Sequence, residues 1–186
     1  MGQSRRRARI VPGALVAKPV LNELNRRLHE ELGIPPGYGR SGVPPFYADA
    51  AELVDVGPNL VGHMQRLAPD AADRWRRMAE AAGSDGIRLL IASGFRDAEY
   101  QAGLIRRKLD AGQVIEDILK VVAAPGFSQH HTGCAIDIAT PGSRPLTEEF
   151  DATDAFAWLI ENAISHGFSM TYPRDNAHGF IYEPWH

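Results

Sequence analysis

A chain of 186 residues suits one domain, and an apolar fraction of 44% is enough for a sizeable core. The formal net charge of −3, with both signs mixed along the chain, gives no electrostatic reason to expect a nucleic-acid or anionic-membrane partner. No run approaches the ~20 apolar residues of a membrane span, and Cys134 is the only cysteine, so an internal disulfide is excluded and the redox compartment stays open.

The N-terminus carries a basic cluster, Arg5, Arg6, Arg7 and Arg9, which reads as a solvated tail because it lacks apolar groups to order it. Residues 10–20 are interrupted by Pro12, Gly13, Lys18 and Pro19 and do not make a secretory core. Leu21, Leu24, Leu28 and Leu32 recur at helical spacing and predict an amphipathic helix over residues 20–32, stopped by Gly33 and Pro35-Pro36-Gly37. Residues 34–46 are rich in proline and glycine and read as a loop. A short helix is expected over 59–67, then a longer one opened by Pro69-Asp70, with Ala71, Trp75, Met78, Ala79 and Ala82 inward and Gly83 at its end.

Residues 87–92 form an apolar run of strand length that empties into Ser93-Gly94-Phe95-Arg96. Asp97 caps a helix to about Leu109, and a further helix carries Ile115, Ile118, Leu119 and Val122 until Pro125-Gly126. The alternation of Cys134, Ile136 and Ile138 with Ala135 and Asp137 predicts a strand, with Asp137 on the face opposite the isoleucines. Asp151 or Thr153 caps a helix bearing Phe156, Leu159, Ile160, Ala163 and Ile164, ended by Gly167, and short strands are expected at 168–171 and 179–183. Helices and short strands mix without a βαβ rhythm. The fold class is therefore α+β, a small antiparallel sheet flanked by helices.

Two segments carry the chemistry. One is Ser128-Gln129-His130-His131-Thr132-Gly133-Cys134-Ala135-Ile136-Asp137, and the other is the terminal Glu183-Pro184-Trp185-His186. A catalytic zinc usually takes three protein ligands and leaves a fourth position for water. His130 and Asp137 lie seven residues apart around Thr132-Gly133, where the glycine permits a sharp turn, and His186 supplies the third donor. Glu183, three residues before His186, is placed to act as the general base that takes a proton from the attacking water. Pro184 biases Glu183 towards extended backbone, so the segment ends a strand and bends into a turn. Either segment alone matches many unrelated sequences by chance; the pair is informative. His131 competes with His130 as a ligand on the residues alone, and His63, His166 and His178 read as surface or core-edge residues.

The run Ser128-x-His130-x-x-Gly133-x-Ala135-x-Asp137, followed by Glu183-x-Trp185-His186, resembles the zinc D-alanyl-D-alanine carboxypeptidases and dipeptidases of the vancomycin-resistance type. That group also contains L,D-carboxypeptidases and phage endolysins that cut cell-wall peptides. Ser93-Gly94-Phe95-Arg96, Gln101 and the Tyr172-Pro173 pair fit the same pattern, so the resemblance covers roughly residues 85–186 in order. It implies one zinc held by His130, Asp137 and His186, with Glu183 as base and later proton donor, and leaves His131 exposed or beside the ligands without touching the ion. It implies Arg96 as partner of the oxyanion or of a substrate carboxylate, a role that suits a permanently charged planar fork. Gln101 and Ser128 match positions that contact substrate, and Trp185 is expected to wall the pocket.

Cys134, at a variable position of the motif, reads as a small packed residue rather than a ligand. Family members usually continue a few residues past the final histidine, whereas this sequence stops on His186, whose α-carboxylate is expected beside the metal.

These readings converge on a single zinc peptidase domain over residues 1–186, with 1–47 as an N-terminal extension. The expected activity is D,D-carboxypeptidase cleavage of a peptidoglycan peptide or precursor ending in D-alanine, by a monomer. The alternatives are L,D-carboxypeptidase or endopeptidase activity on the same site, or a zinc-containing binding module without turnover. Location is left open: such a substrate points to the bacterial envelope, no export signal is visible, and a cytoplasmic role or a phage origin is also compatible.

Overall fold

The structure is a computed structural model that describes residues 21–186. The basic cluster at residues 5–9 and the interrupted run at 10–20 lie outside the described residues.

The first helix, α1 (Glu23–Leu32), forms as its leucine spacing predicts. Asn22 accepts from the Asn25 N–H at its start, and Gly33 takes a left-handed conformation at its end, so both termini are satisfied. Leu28 and Leu32 face inward and pack with Ala98, Ala102 and Ile105 of α3 (Ala98–Asp110) and with Ile118, Ala124 and Phe127 further on. Arg106 clasps Glu31 through two hydrogen bonds of 2.6 and 3.0 Å across the same helix pair. Such an exposed pair adds about 0–1 kcal/mol, so the leucines dominate the contact. The N-terminal segment from residue 21 onward is thus built into a core.

Residues 59–67 are not helical. Strands β1 (Val54–Pro58) and β2 (Met64–Leu67) pair antiparallel, and 59–63 is the hairpin connection. Asn59 caps that connection with its side-chain oxygen, accepting from the Val61 and His63 N–H groups, while Gly62 supplies a positive φ of 87°. The turn chemistry outweighs the helical spacing of the apolar residues there.

Helix α2 (Pro69–Ser84) buries Ala71, Trp75, Met78 and Ala82 as expected. They pack on Ile91 of β3 (Leu90–Ser93), on Ile136 and Ile138, and on Phe150. Strand β4 (Asp137–Ala139) pairs antiparallel with β3 in a second, separate two-stranded sheet. The expected helix after α3 is a single turn, α4 (Ile115–Ile118), followed by irregular backbone. Thr153 caps α5 (Asp154–Asn162), whose Ile160, like Ile164 beyond it, is exposed rather than inward. Residues 168–171 and 179–183 run without strand pairing. Their hydrogen bonds go singly, from Glu183 N–H to the Tyr172 carbonyl and from Ile181 N–H to the Lys120 carbonyl. The architecture is α+β, as composition and order suggest. None of the helices in the described residues is long and apolar enough to cross a membrane.

Candidate metal and catalytic centre

The β3–β4 pairing builds the centre. A register shift between Ile91 and Ser93 sets Ser93 opposite Asp137, so the turn after β3 delivers Arg96 to the same end of the sheet. Ile136 and Ile138 bury into the α2 core, and the strand's alternation turns Asp137 to the other face. Asp137 then lies with its Oδ2 3.5 Å from an Arg96 Nη1.

His130 arrives on a 3-10 turn, Gln129–Thr132. Ser128 caps that turn by accepting from the His130 N–H at 3.3 Å, and Gly133 ends it at φ 68°. A Cβ at Gly133 would stand 2.8 Å from the Ala68 nitrogen, whose N–H bonds to the Gly133 carbonyl. The glycine is therefore required twice, for its backbone angle and for the close approach. His130 donates from Nδ1 to the Gly94 carbonyl at 2.6 Å, which fixes the proton on that nitrogen and leaves the Nε2 lone pair free.

His186 is brought in by a bond from the Ile138 N–H to the Trp185 carbonyl, which ties the end of the chain alongside β4. Its Nδ1 lies 3.1 Å from Asp137 Oδ1, and its Nε2 lies 3.0 Å from the Gln129 side-chain oxygen. Asp137 Oδ1 is also 3.3 Å from His130 Nε2, which has no hydrogen-bond partner although it is buried. One ligand atom from each of His130, Asp137 and His186 thus falls within 4.8 Å of the others.

These donors fit a tetrahedral divalent ion. Atoms about 2.0–2.1 Å from such an ion sit about 3.3 Å apart, close to both Asp137 distances. An orphaned buried imidazole nitrogen facing a carboxylate is the chemistry of a ligand awaiting a cation.

The protonation states agree. Burial pushes His130 down to about 4, helped by the Arg96 charge and partly opposed by Asp137, so its ring is neutral at neutral pH. Burial would raise the Asp137 carboxyl, but the neighbouring His130 and His186 imidazoles and the Arg96 guanidinium outweigh it and hold the group well below its usual range. Glu183 is pushed the other way, up to about 8, by burial first and by Asp137 second, against a smaller pull from Arg96. Two carboxylates in one site are thereby separated into a permanent anion and a group that exchanges protons near neutrality. Glu183 Oε2 lies 4.0 Å from His186 Nδ1, beside the donor set.

Arg96, Ser128, His130, Tyr172, Glu183 and His186 line one small hollow. On the other side of His186 opens a cleft of about 500 Å³ with Ile136, Phe156, Leu159, Phe168 and Trp185 on its walls. The small hollow holds the titratable chemistry; the larger cleft is mostly apolar and shares only Gln129 and His186 with it.

The remaining sequence-derived residues divide. Ser128 lines the hollow. Trp185 walls the apolar cleft instead. Gln101 is buried on α3, gives its amide N–H to the Ala123 carbonyl at 2.9 Å and stays out of the hollow's lining. His131 is not exposed: it is fully buried, donating from Nδ1 to the Arg96 carbonyl at 2.6 Å and accepting the Gly126 N–H at Nε2. Cys134 is exposed rather than packed. His63 is exposed, His166 stacks on Trp158 and His178 meets the edge of the Tyr172 ring. Sequence reasoning passed over Gln129, whose amide beside a candidate ligand was the available signal, and Tyr47, for which no motif spacing gives a signal.

Residues 64–186 match the family model VanY, described as D-alanyl-D-alanine carboxypeptidase. A D-alanyl-D-alanine carboxypeptidase of Enterococcus faecalis (strain ATCC 700802 / V583) is 31% identical over 131 residues, covering 65% of this chain and 46% of the relative. The chain spans less than half the length of this and two further curated relatives. Among solved structures, the LD-carboxypeptidase LdcB superposes with a TM-score of 0.67 at 30% identity, over 76% of this chain and 69% of that one. The vancomycin-resistance D,D-pentapeptidase VanY, solved in complex with Zn(II), superposes at 0.57 and 26% identity, over 76% of this chain and 78% of its own. The chain belongs to the VanY D-alanyl-D-alanine carboxypeptidase family.

Proposed function

We propose that this protein is a zinc-dependent D-alanyl-D-alanine carboxypeptidase that removes the terminal D-alanine of a peptidoglycan stem peptide or precursor. The observation that carries the reading is the convergence of one ligand atom each from His130, Asp137 and His186 within 4.8 Å, with His130 Nε2 and His186 Nδ1 3.3 and 3.1 Å from Asp137 Oδ1 and Glu183 alongside. The Zn(II) complex of the VanY neighbour supports zinc as the ion.

His130, Asp137 and His186 would hold the ion. When bound, zinc supplies Lewis acidity, polarising a carbonyl and lowering the pKa of a water from ~15.7 to about 7. Glu183 takes the proton of the attacking water as its oxygen bonds to the scissile carbonyl carbon, then passes that proton to the leaving nitrogen as the C–N bond breaks. Burial supports the exchange by raising this carboxyl towards neutrality. Arg96 faces the hollow beside Glu183, its planar guanidinium suited to the developing oxyanion or to the substrate's terminal carboxylate. Ser128 contributes a wall of the same hollow. Gln101 acts through the backbone at Ala123 rather than by contact, and Trp185 serves the neighbouring cleft.

We also propose that residues 1–186 work as one domain, with residues 1–47 as an N-terminal extension, and as a monomer; the packing of α1 on α3 supports the single domain. A second reading, L,D-carboxypeptidase activity on the same centre, is favoured by the likeness to LdcB.

The test is D-alanine release from acyl-Lys-D-Ala-D-Ala, against L,D- and endopeptidase substrates, with and without chelator. Chelator-sensitive release from the D,D substrate, abolished in Glu183→Ala, is expected. Preferred turnover of the L,D substrate would replace the first reading with the second. Zinc binding without turnover of any substrate would make the protein a binding module.

A further inference from the structure

We infer that Gln129 and Tyr47 form a positioning relay for His186, so that the segment preceding the family-matched residues takes part in holding the metal. The inference rests on the zinc reading above. Gln129 and Tyr47 are positioning residues: they act through the imidazole.

The argument starts from hydrogen-bond inventory. An amide oxygen can only accept, so the 3.0 Å bond between Gln129 Oε1 and His186 Nε2 puts a proton on Nε2. A His186 ring that binds the ion would then do so through Nδ1. Nδ1 faces Asp137 Oδ1 at 3.1 Å, on the side where the ion would sit. Gln129 therefore selects the tautomer in which His186 is a ligand through Nδ1.

The amide needs its own orientation fixed. Gln129 Nε2 donates to the Tyr47 hydroxyl at 3.2 Å while Oε1 faces His186, so the hydroxyl holds the far edge of the amide. Tyr47 is anchored in turn, its N–H bonded to the Gly126 carbonyl at 2.8 Å. The Gly126 N–H bonds to His131, which holds the Arg96 carbonyl. The family match begins at residue 64, so Tyr47 comes from outside it. Partners of this kind, one bond removed from a metal, orient the ligand and raise its basicity, and losing one typically weakens metal binding about 10–100-fold.

The experiment is zinc affinity by competition with a chromophoric chelator, on metal-stripped full-length protein. Gln129→Leu is expected to weaken zinc about 10–100-fold. Gln129→Glu, which keeps an acceptor at the same reach, is expected to restore affinity to within a few-fold. Tyr47→Phe is expected to lose less than Gln129→Leu. The double variant is expected to be no weaker than Gln129→Leu alone, because both act on one imidazole and their effects do not add. In zinc-loaded protein, ¹⁵N shifts of His186 are expected to report a protonated Nε2. A Gln129→Leu affinity within about twofold of the parent, or additive losses in the double variant, would overturn the relay while leaving the zinc reading intact. A parent protein that binds no zinc would overturn both. Should Gln129→Leu fail to fold, Tyr47→Phe decides: an unchanged affinity with Nδ1 protonated rejects the relay.

Discussion

Glu183 and Asp137 are both buried carboxyls, but His130, His186 and Arg96 hold Asp137 low whereas only Arg96 opposes the rise of Glu183. Removing its carboxylate by Glu183→Gln is expected to lower kcat about 10²–10⁴-fold, the usual worth of a general base, while bound zinc stays at the parental level. The same variant tests the electrostatics in metal-stripped protein. A carboxyl raised from its ordinary 4.5 to about 8 stays protonated in the folded state over a range where the unfolded chain has released its proton. Stability is therefore lost as pH rises through that window. The melting temperature of Glu183→Gln relative to the parent is expected to climb between pH 5 and pH 8; a flat difference would contradict the assignment. Arg96→Ala is expected to cost about 10²–10³-fold in kcat/KM with zinc content unchanged, since the guanidinium meets charge rather than the ion. His130, Asp137, His186 and Glu183 were legible because their types and order recur as a motif. Gln129 and Tyr47 were not, because their contribution depends on which amide edge faces which ring, a fact of three-dimensional packing.

Elements position these residues, and here the sequence was readable where periodicity and turn chemistry agreed. The leucine spacing of α1, the Asp97 cap of α3 and the alternation around Asp137 all form as the pattern dictates. Residues 59–67 mislead because apolar spacing there suits a helix, while Asn59 and Gly62 encode a hairpin. Residues 168–171 and 179–183 form irregular backbone without strand pairing, with Gly179 at φ 80°, so composition alone overstated the sheet. The 3-10 turn that carries His130 depends on Gly133. Gly133→Ala would strain a backbone at φ 68° and press a methyl to 2.8 Å from the Ala68 nitrogen. A loss of about 1–3 kcal/mol is expected, at about 2–4 °C of melting temperature per kcal/mol, together with weaker zinc binding. Thermal denaturation and metal content measured on one preparation check both parts.

Across the molecule, two apolar clusters hold the centre between them along the chain. One joins α2, β3, β4 and α5; the other joins α1, α3 and the stretch ending at Phe127, three residues before His130. Leu28, Leu32 and Ile34 thus pack in the same cluster as Phe127. Leu28, fully buried in the second cluster, is expected to cost about 2–5 kcal/mol as Leu28→Ala, read from the urea midpoint. A change under about 0.5 kcal/mol, the range of ordinary surface substitutions, would show that α1 is dispensable.

The convergence of three distant side chains on one ion is tested most directly by crystallising zinc-loaded protein and measuring anomalous scattering at the zinc edge. A single strong peak bonded to His130 Nε2, Asp137 Oδ1 and His186 Nδ1 is the expected result. A peak elsewhere, or none in protein shown to be fully loaded, would contradict it.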